Sequence, residues 1–150
     1  MVGRAVKGLT SFDDYTPAGR TIEDKLTSLG ITIVERTLQE SIGITRAVIA
    51  EAPTFPELSR HVHEATRDQM AQAVSLVLGD ATRPSRTIKE VFSGKRSIAA
   101  AQIFMDMILL PMLMRSLMGE PTNALKKDLA PFVRERVSFF VAACENHWAP

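Results

Sequence analysis

The sequence is short of the residues that build disulfides, metal clusters and aromatic cores. It contains one cysteine, Cys144, one tryptophan and one tyrosine among 150 residues. A single cysteine cannot form an internal disulfide, and it cannot build a cysteine-based zinc site. Because a chain without disulfides is typical of a reducing compartment, we expect this protein in the cytoplasm.

Charge of one sign is also scarce, since 18 basic and 17 acidic residues leave a formal net charge of +1. A domain that binds DNA by itself usually carries a clear positive excess, so these residues are not expected to contact DNA directly. No apolar run follows Arg4 and Lys7, which argues against a secretory signal. The most apolar stretch, Ile98 to Met114, carries Gln102 and Asp106. We interpret it as a buried helix of a soluble domain and expect no membrane contact.

No catalytic or cofactor-binding motif is present. The sequence lacks a G-x-S-x-G elbow, a Walker loop, a G-x-G-x-x-G fingerprint and an H-E-x-x-H zinc motif. His61 and His63 are two residues apart, so on a helix they point in different directions and cannot chelate one ion. Cys144 lies on an apolar helical stripe, as an inert core thiol does. We therefore predict no enzyme activity, no metal site and no cofactor.

Helix-forming chemistry is what the sequence has in excess. Apolar residues recur at three- and four-residue spacing, and no segment alternates apolar and polar residues over the length of a strand. Thr21 is a typical N-cap, and Glu23 and Asp24 follow it in the first turn, where the helix dipole favours negative charge. That helix is predicted to end near Gly43. Further helices are predicted over residues 44–52, 54–78, 97–119 and about 125–146, with a short helical turn near residues 88–92.

The last two predicted helices are apolar on two faces each, which is more than a helix needs for one core. The natural resolution is a homodimer in which both helices meet their copies in a four-helix bundle. The alternative is that other helices of the same chain cover both faces. Six residues are predicted to form the dimer interface: Phe104, Met107, Met114, Phe132, Arg136 and Phe139.

Two polar residues interrupt the apolar helix before Gly119. Gln102 and Asp106 are four residues apart and therefore project side by side. One interpretation is that they orient a small ligand in an otherwise apolar pocket, to which Met70 and Leu109 would contribute. The other is that Asp106 pairs with an internal arginine, Arg46 or Arg36, and only ties helices together.

A dense motif lies between the second and third predicted helices. The stretch RAVIAEAPTFPEL, residues 46–58, resembles the R-x-x-I-A-E-A-x-x-F-P-E-L pattern in the C-terminal domains of AefR-like members of the TetR/AcrR family. The order of the elements around it is similar as well, and the resemblance covers roughly residues 20 to 147. It implies an all-α bundle of five to six helices whose last two helices form the dimer.

The resemblance also implies a function. Members of this family are bacterial repressors that bind operator DNA through N-terminal helix-turn-helix domains, and a small molecule in the C-terminal domain controls DNA release. Residues 1–20 do not match a helix-turn-helix. We therefore expect a connecting segment over residues 1–20 and an effector-binding and dimerisation domain over residues 21–150. A small hydrophobic effector and a second copy are the expected partners, and operator DNA only through a domain that these residues lack. The alternative is a dimerisation module without a ligand pocket.

Overall fold

The predicted all-α class is confirmed over the residues that the computed structural model describes, 15–82 and 94–146. Helices α1 (Ile22–Arg36) and α2 (Ile42–Glu51) are joined by a π-helical turn, Thr37–Ser41. They are followed by α3 (Pro56–Thr82), α4 (Arg96–Leu117) and α5 (Thr122–Glu145). The helical turn predicted near residues 88–92 lies outside the described residues. Side chains are described for all of these residues except 81 and 82.

Helix α1 begins where the sequence predicts it. The Thr21 hydroxyl accepts a hydrogen bond from the Asp24 amide at 3.1 Å, and the Asp24 carboxylate accepts one from the Thr21 amide at 3.3 Å. This reciprocal capping box satisfies two amides that the helix itself leaves without partners.

The predicted helix end near Gly43 is wrong, because helical structure continues from Ile22 to Glu51 through the π turn. Thr37, which is buried, donates its hydroxyl to the carbonyl of Ile33, and Thr45 donates to Ser41 in the same way. A glycine costs only about 1 kcal/mol inside a helix, which the surrounding packing can offset.

Two chain reversals set the directions of the remaining helices. The corner between α2 and α3 is closed by the Phe55 amide donating to the Glu51 carbonyl, and Pro56 starts α3, where its missing amide hydrogen does no harm. At the end of α4, the Gly119 and Glu120 amides donate back to Ser116 and Arg115. Gly119 has a φ of 94°, the left-handed conformation that this type of helix end requires.

Helix α4 is the centre of the bundle and packs against α1, α3 and α5. By length and composition it could span a membrane, but here one face of it lies in the core. That face includes Phe104, whose ring meets Phe140 of α5 edge to face, with centroids 5.3 Å apart. Gly30 allows α1 to approach α4 and α5 closely, since a Cβ there would lie 2.8 Å from Val133 and 3.1 Å from Ile108.

Polar contacts tie the C-terminal end of α4 to its neighbours. Arg46 of α2 donates to the carbonyl of Ser116 at 2.9 Å, which gives this carbonyl a second hydrogen bond beside the one from the Gly119 amide. Arg115 binds the carboxylates of Glu120 and, at 2.7 Å, Asp128 of α5. The hydrogen bonds that Glu120 accepts from Arg115 hold the pKa of the Glu120 carboxyl below its usual value. Glu120 is therefore ionised when the pair is formed.

Candidate functional site

The side of α4 that faces away from the core is apolar and exposed. Leu110 is 52% exposed, and Met114 and Met118 are exposed on the following turns. Phe139 of α5 is 69% exposed. We call these four residues the apolar face. Among the described residues nothing covers these side chains, and exposed apolar surface is where interaction sites are usually found.

The structure separates the residues predicted for the dimer interface into two groups. Met114 and Phe139 belong to the apolar face, and Met107, Phe132 and Arg136 are half-buried. The Arg136 guanidinium lies over the ring of Phe132, with its carbon 3.4 Å from the ring centroid, and so screens part of that ring.

Phe104, in contrast, is 1% exposed and lies in the core. A second copy cannot reach it without unpacking α4 from α5, so it is left out of the interface proposed below. Leu110, which the sequence pattern did not single out, takes its place on the exposed side of α4.

The residues predicted to bind a ligand lie where α3 meets α4. Met70 is buried in the core, Leu109 packs against that core, and Gln102 is half-buried. Asp106 is exposed and forms an ion pair with Arg67 of α3, at 2.6 Å, one turn before Met70. Asp106 therefore pairs with an arginine of another helix, as one of the two interpretations predicts, but the partner is neither Arg46 nor Arg36.

The ion pair has two consequences for this site. It places a cation beside Asp106 that the sequence did not reveal, because Arg67 belongs to a different helix. The side chains of Asp106 and Arg67 are 50% and 40% exposed, so the pair lies at the surface and contributes little stability. Asp106 is thus at the rim of any α3–α4 site, and its carboxylate already has a partner.

An open groove runs between α1 and α5, with a volume of about 640 Å³. The apolar side chains on its floor are Ile31 and Val137, and the polar groups on its walls include Glu23, Thr27 and Arg134. Sequence reasoning missed this groove, since its two walls are more than one hundred residues apart in the chain.

Residues 15–20, which we call the strap, close one end of this groove. The hydroxyls of Tyr15 and Ser28 are 2.8 Å apart, and the Ala18 amide donates to the Ser28 hydroxyl at 3.2 Å. Gly19 has a φ of 113°, and a Cβ there would overlap the side chain of Asp24. The strap is therefore held along α1 by two hydrogen bonds and by one residue that must be glycine.

Of the charged side chains in this groove, Asp24 is hydrogen-bonded, whereas Glu23 and Arg134 are not hydrogen-bonded to any described residue. Asp24 has a pKa below its usual value, mainly because Thr21 donates hydrogen bonds to its carboxylate and, in smaller part, because of the positive charge of Arg134. Among the described residues, neither the Glu23 carboxylate nor the Arg134 guanidinium forms an ion pair or a side-chain hydrogen bond. The groove therefore holds one anion and one cation whose hydrogen-bonding groups are available.

The histidines and the cysteine offer no chemistry that changes this description. His61 and His63 are exposed on α3, and no group of three metal-binding side chains exists within residues 15–82 and 94–146. Cys144 is buried, and burial raises the pKa of its thiol to about 11, so it is protonated at neutral pH and a poor nucleophile.

Comparison with known families identifies the same region of the chain. The family model described as the C-terminal domain of AefR-like transcriptional repressors matches residues 24–145, from the first turn of α1 to the end of α5. No curated protein and no solved structure matches the chain.

Proposed function

We propose a function from the premise that this chain belongs to the family of AefR-like transcriptional repressor C-terminal domains, within the TetR family. Domains of this family are regulatory, and in general they dimerise and bind small effectors. For this chain we propose the ligand-sensing and dimerisation domain of a bacterial, cytoplasmic repressor. Operator DNA would be bound by a separate helix-turn-helix domain.

The observation that carries the dimer is the apolar face of α4 and α5. Leu110 and Met114 lie on α4 and Phe139 lies on α5. A second copy related by a two-fold axis would cover the exposed apolar side chains of both helices. Together with the half-buried Met107, Phe132 and Arg136, they give an apolar centre with a polar rim, as stable interfaces have.

We expect the chain to have twice its mass of 16.5 kDa in solution at micromolar concentration. Leu110→Glu should give a monomer, because the dimer would bury an unpaired carboxylate at a cost of several kcal/mol. Leu76→Glu is the matched control, since Leu76 is 74% exposed on α3, outside the apolar face. Sedimentation velocity distinguishes the masses, and a monomeric parent chain at micromolar concentration would exclude the proposed dimer.

For the effector we propose a small, largely apolar molecule held between α3 and α4. Met70 and Leu109 would contribute the apolar contacts, and Gln102 and Asp106 would orient its polar group from the rim. A polar effector group that accepts hydrogen bonds would compete with Asp106 for Arg67, so that binding would loosen the α3–α4 ion pair. The ligand would then bind more tightly to the arrangement of α3 and α4 in which this ion pair is open. A difference in affinity between two arrangements is what allows a ligand to act as a switch.

A thermal-shift screen with hydrophobic acids, phenols, lactones and cationic dyes tests this site. A ligand at one hundred times its Kd should stabilise the fold by about 2.7 kcal/mol, which corresponds to a rise in Tm of roughly 5–10 °C. Gln102→Ala should reduce that rise, whereas Gln72→Ala, exposed on α3, should leave it unchanged.

The second candidate function is a dimerisation module without a ligand pocket. It is favoured by one observation, that Asp106 is paired with Arg67 at the surface rather than directed into an enclosed cavity. If the whole library fails to raise the Tm while the chain remains a dimer, the module is the correct description.

A further inference from the structure

The groove between α1 and α5 is separate from both surfaces used above. Arg134 and Ser138, one turn apart on α5, form one wall, whereas the apolar face includes Phe139 and the effector site lies on α3 and α4. Its volume of about 640 Å³ lies within the range of roughly 300–1,000 Å³ that small-molecule sites occupy.

Charge decides which class of molecule this groove fits. A simple anion would meet Arg134 but also the carboxylates of Glu23 and Asp24. A simple cation would meet Glu23 but would be repelled by Arg134. A molecule with both charges satisfies both available groups, because a carboxylate can take two N–H donors of a guanidinium, and an ammonium can donate to a carboxylate.

The floor and the remaining walls fit the body of such a molecule. Ile31, which is half-buried, offers apolar surface in the groove, and the hydroxyls of Thr27 and Ser138 are available for further hydrogen bonds. We propose that the groove binds a small zwitterion, with a carboxylate at Arg134, an ammonium at Glu23 and an apolar side group over Ile31. This second site goes beyond the proposed function and does not depend on it.

A ligand in the groove would contact the strap, residues 15–20, directly. Ala18 and Gly19 line the groove, and both belong to the strap that Ser28 holds to α1. A ligand in the groove therefore touches the strap without acting through the core. Tyr15, at the beginning of the strap, hydrogen-bonds to the same Ser28 and should sense the ligand through that residue.

The test uses Tyr15 as a reporter, because it is the only tyrosine in the chain. With 3-fluorotyrosine incorporated, the protein gives one ¹⁹F resonance, which is followed while L-phenylalanine is added. We expect a saturable change of this resonance. Two analogues serve as ligand controls: 3-phenylpropionate, which lacks the ammonium, and 2-phenylethylamine, which lacks the carboxylate. Both should bind at least about tenfold more weakly, a loss of roughly 1.4 kcal/mol.

Variants then locate the site. Arg134→Gln and Glu23→Gln should each weaken L-phenylalanine at least about tenfold, while Arg60→Gln and Glu64→Gln, exposed on α3, should have no effect. All four positions are exposed, so the fold should survive, and circular dichroism checks this. The proposal is overturned if no saturable change occurs, if the analogues bind as tightly as L-phenylalanine, or if the groove variants bind like the controls. None of these results alters the sedimentation or thermal-shift tests, which concern other surfaces.

Discussion

Replacing Phe104 by alanine is expected to lower the free energy of unfolding by about 3–5 kcal/mol. The ring is buried, and its removal leaves a cavity where α4 meets α5. The edge-to-face contact with Phe140 is lost as well, which accounts for about 0.5–1.5 kcal/mol of the total. Urea unfolding, followed by circular dichroism, measures the change.

Phe139→Ala is the matched control, because it removes the same ring from the exposed apolar face. The free energy of unfolding is compared at two protein concentrations tenfold apart, which distinguishes a core residue from an interface residue. A core residue destabilises the protein equally at both concentrations, whereas an interface residue mainly changes the dependence on concentration. If Phe104→Ala behaved as the interface variant does, Phe104 would contact the partner and the packing of α4 described above would be in error.

Gly30→Ala is expected to destabilise the protein by about 1–3 kcal/mol, although alanine is the better helix former. The new methyl group would lie 2.8 Å from Cγ1 of Val133 and 3.1 Å from Cδ1 of Ile108. Both neighbours are buried, so they cannot move without disturbing the contacts of α1 with α4 and α5. The free energy of unfolding in urea is again the quantity to measure.

The control for this substitution is Gly43→Ala in α2, where a Cβ meets no atom within 4 Å. There alanine should stabilise the helix by about 0.5–1 kcal/mol. The two substitutions are chemically identical and should have opposite signs. Equal stabilisation by both would mean that α1 does not approach α4 and α5 as closely as the structure indicates.

Local features of this fold could be predicted from the sequence because their causes are local. Thr21 and Asp24 cap α1 through groups three residues apart, and Gly119 ends α4 through the conformation of its own backbone. The position of Pro56 at the start of α3 follows from the missing amide hydrogen of proline in the same way.

The orientation of α4 about its own axis could not be predicted. The residues that α4 contributes to the proposed interface were therefore predicted only in part. A helix that is apolar all round gives no sign of which face is buried, so Phe104 and Leu110 look equivalent in the sequence although one is core and the other exposed. The partner of Asp106 was missed for a related reason. Arg67 comes from a different helix, and only the packing of α3 on α4 brings the two charges together.

The π turn has a consequence for how the chain tolerates changes in length. A π turn closes its hydrogen bond over one residue more than an α turn. It therefore accommodates one extra residue within a single wide turn of the helix. Removing one residue from Thr37–Ser41 would convert the π turn into an α turn and leave the phase of α2 nearly unchanged, whereas removing one residue from the α-helical turns beside it would rotate everything after it by about 100°. Arg46 would then swing away from Ser116, and the α2–α3 corner with it. The π turn is thus the place where this helix can lose one residue, and in the α-helical turns beside it chain length is as constrained as side-chain identity in the core.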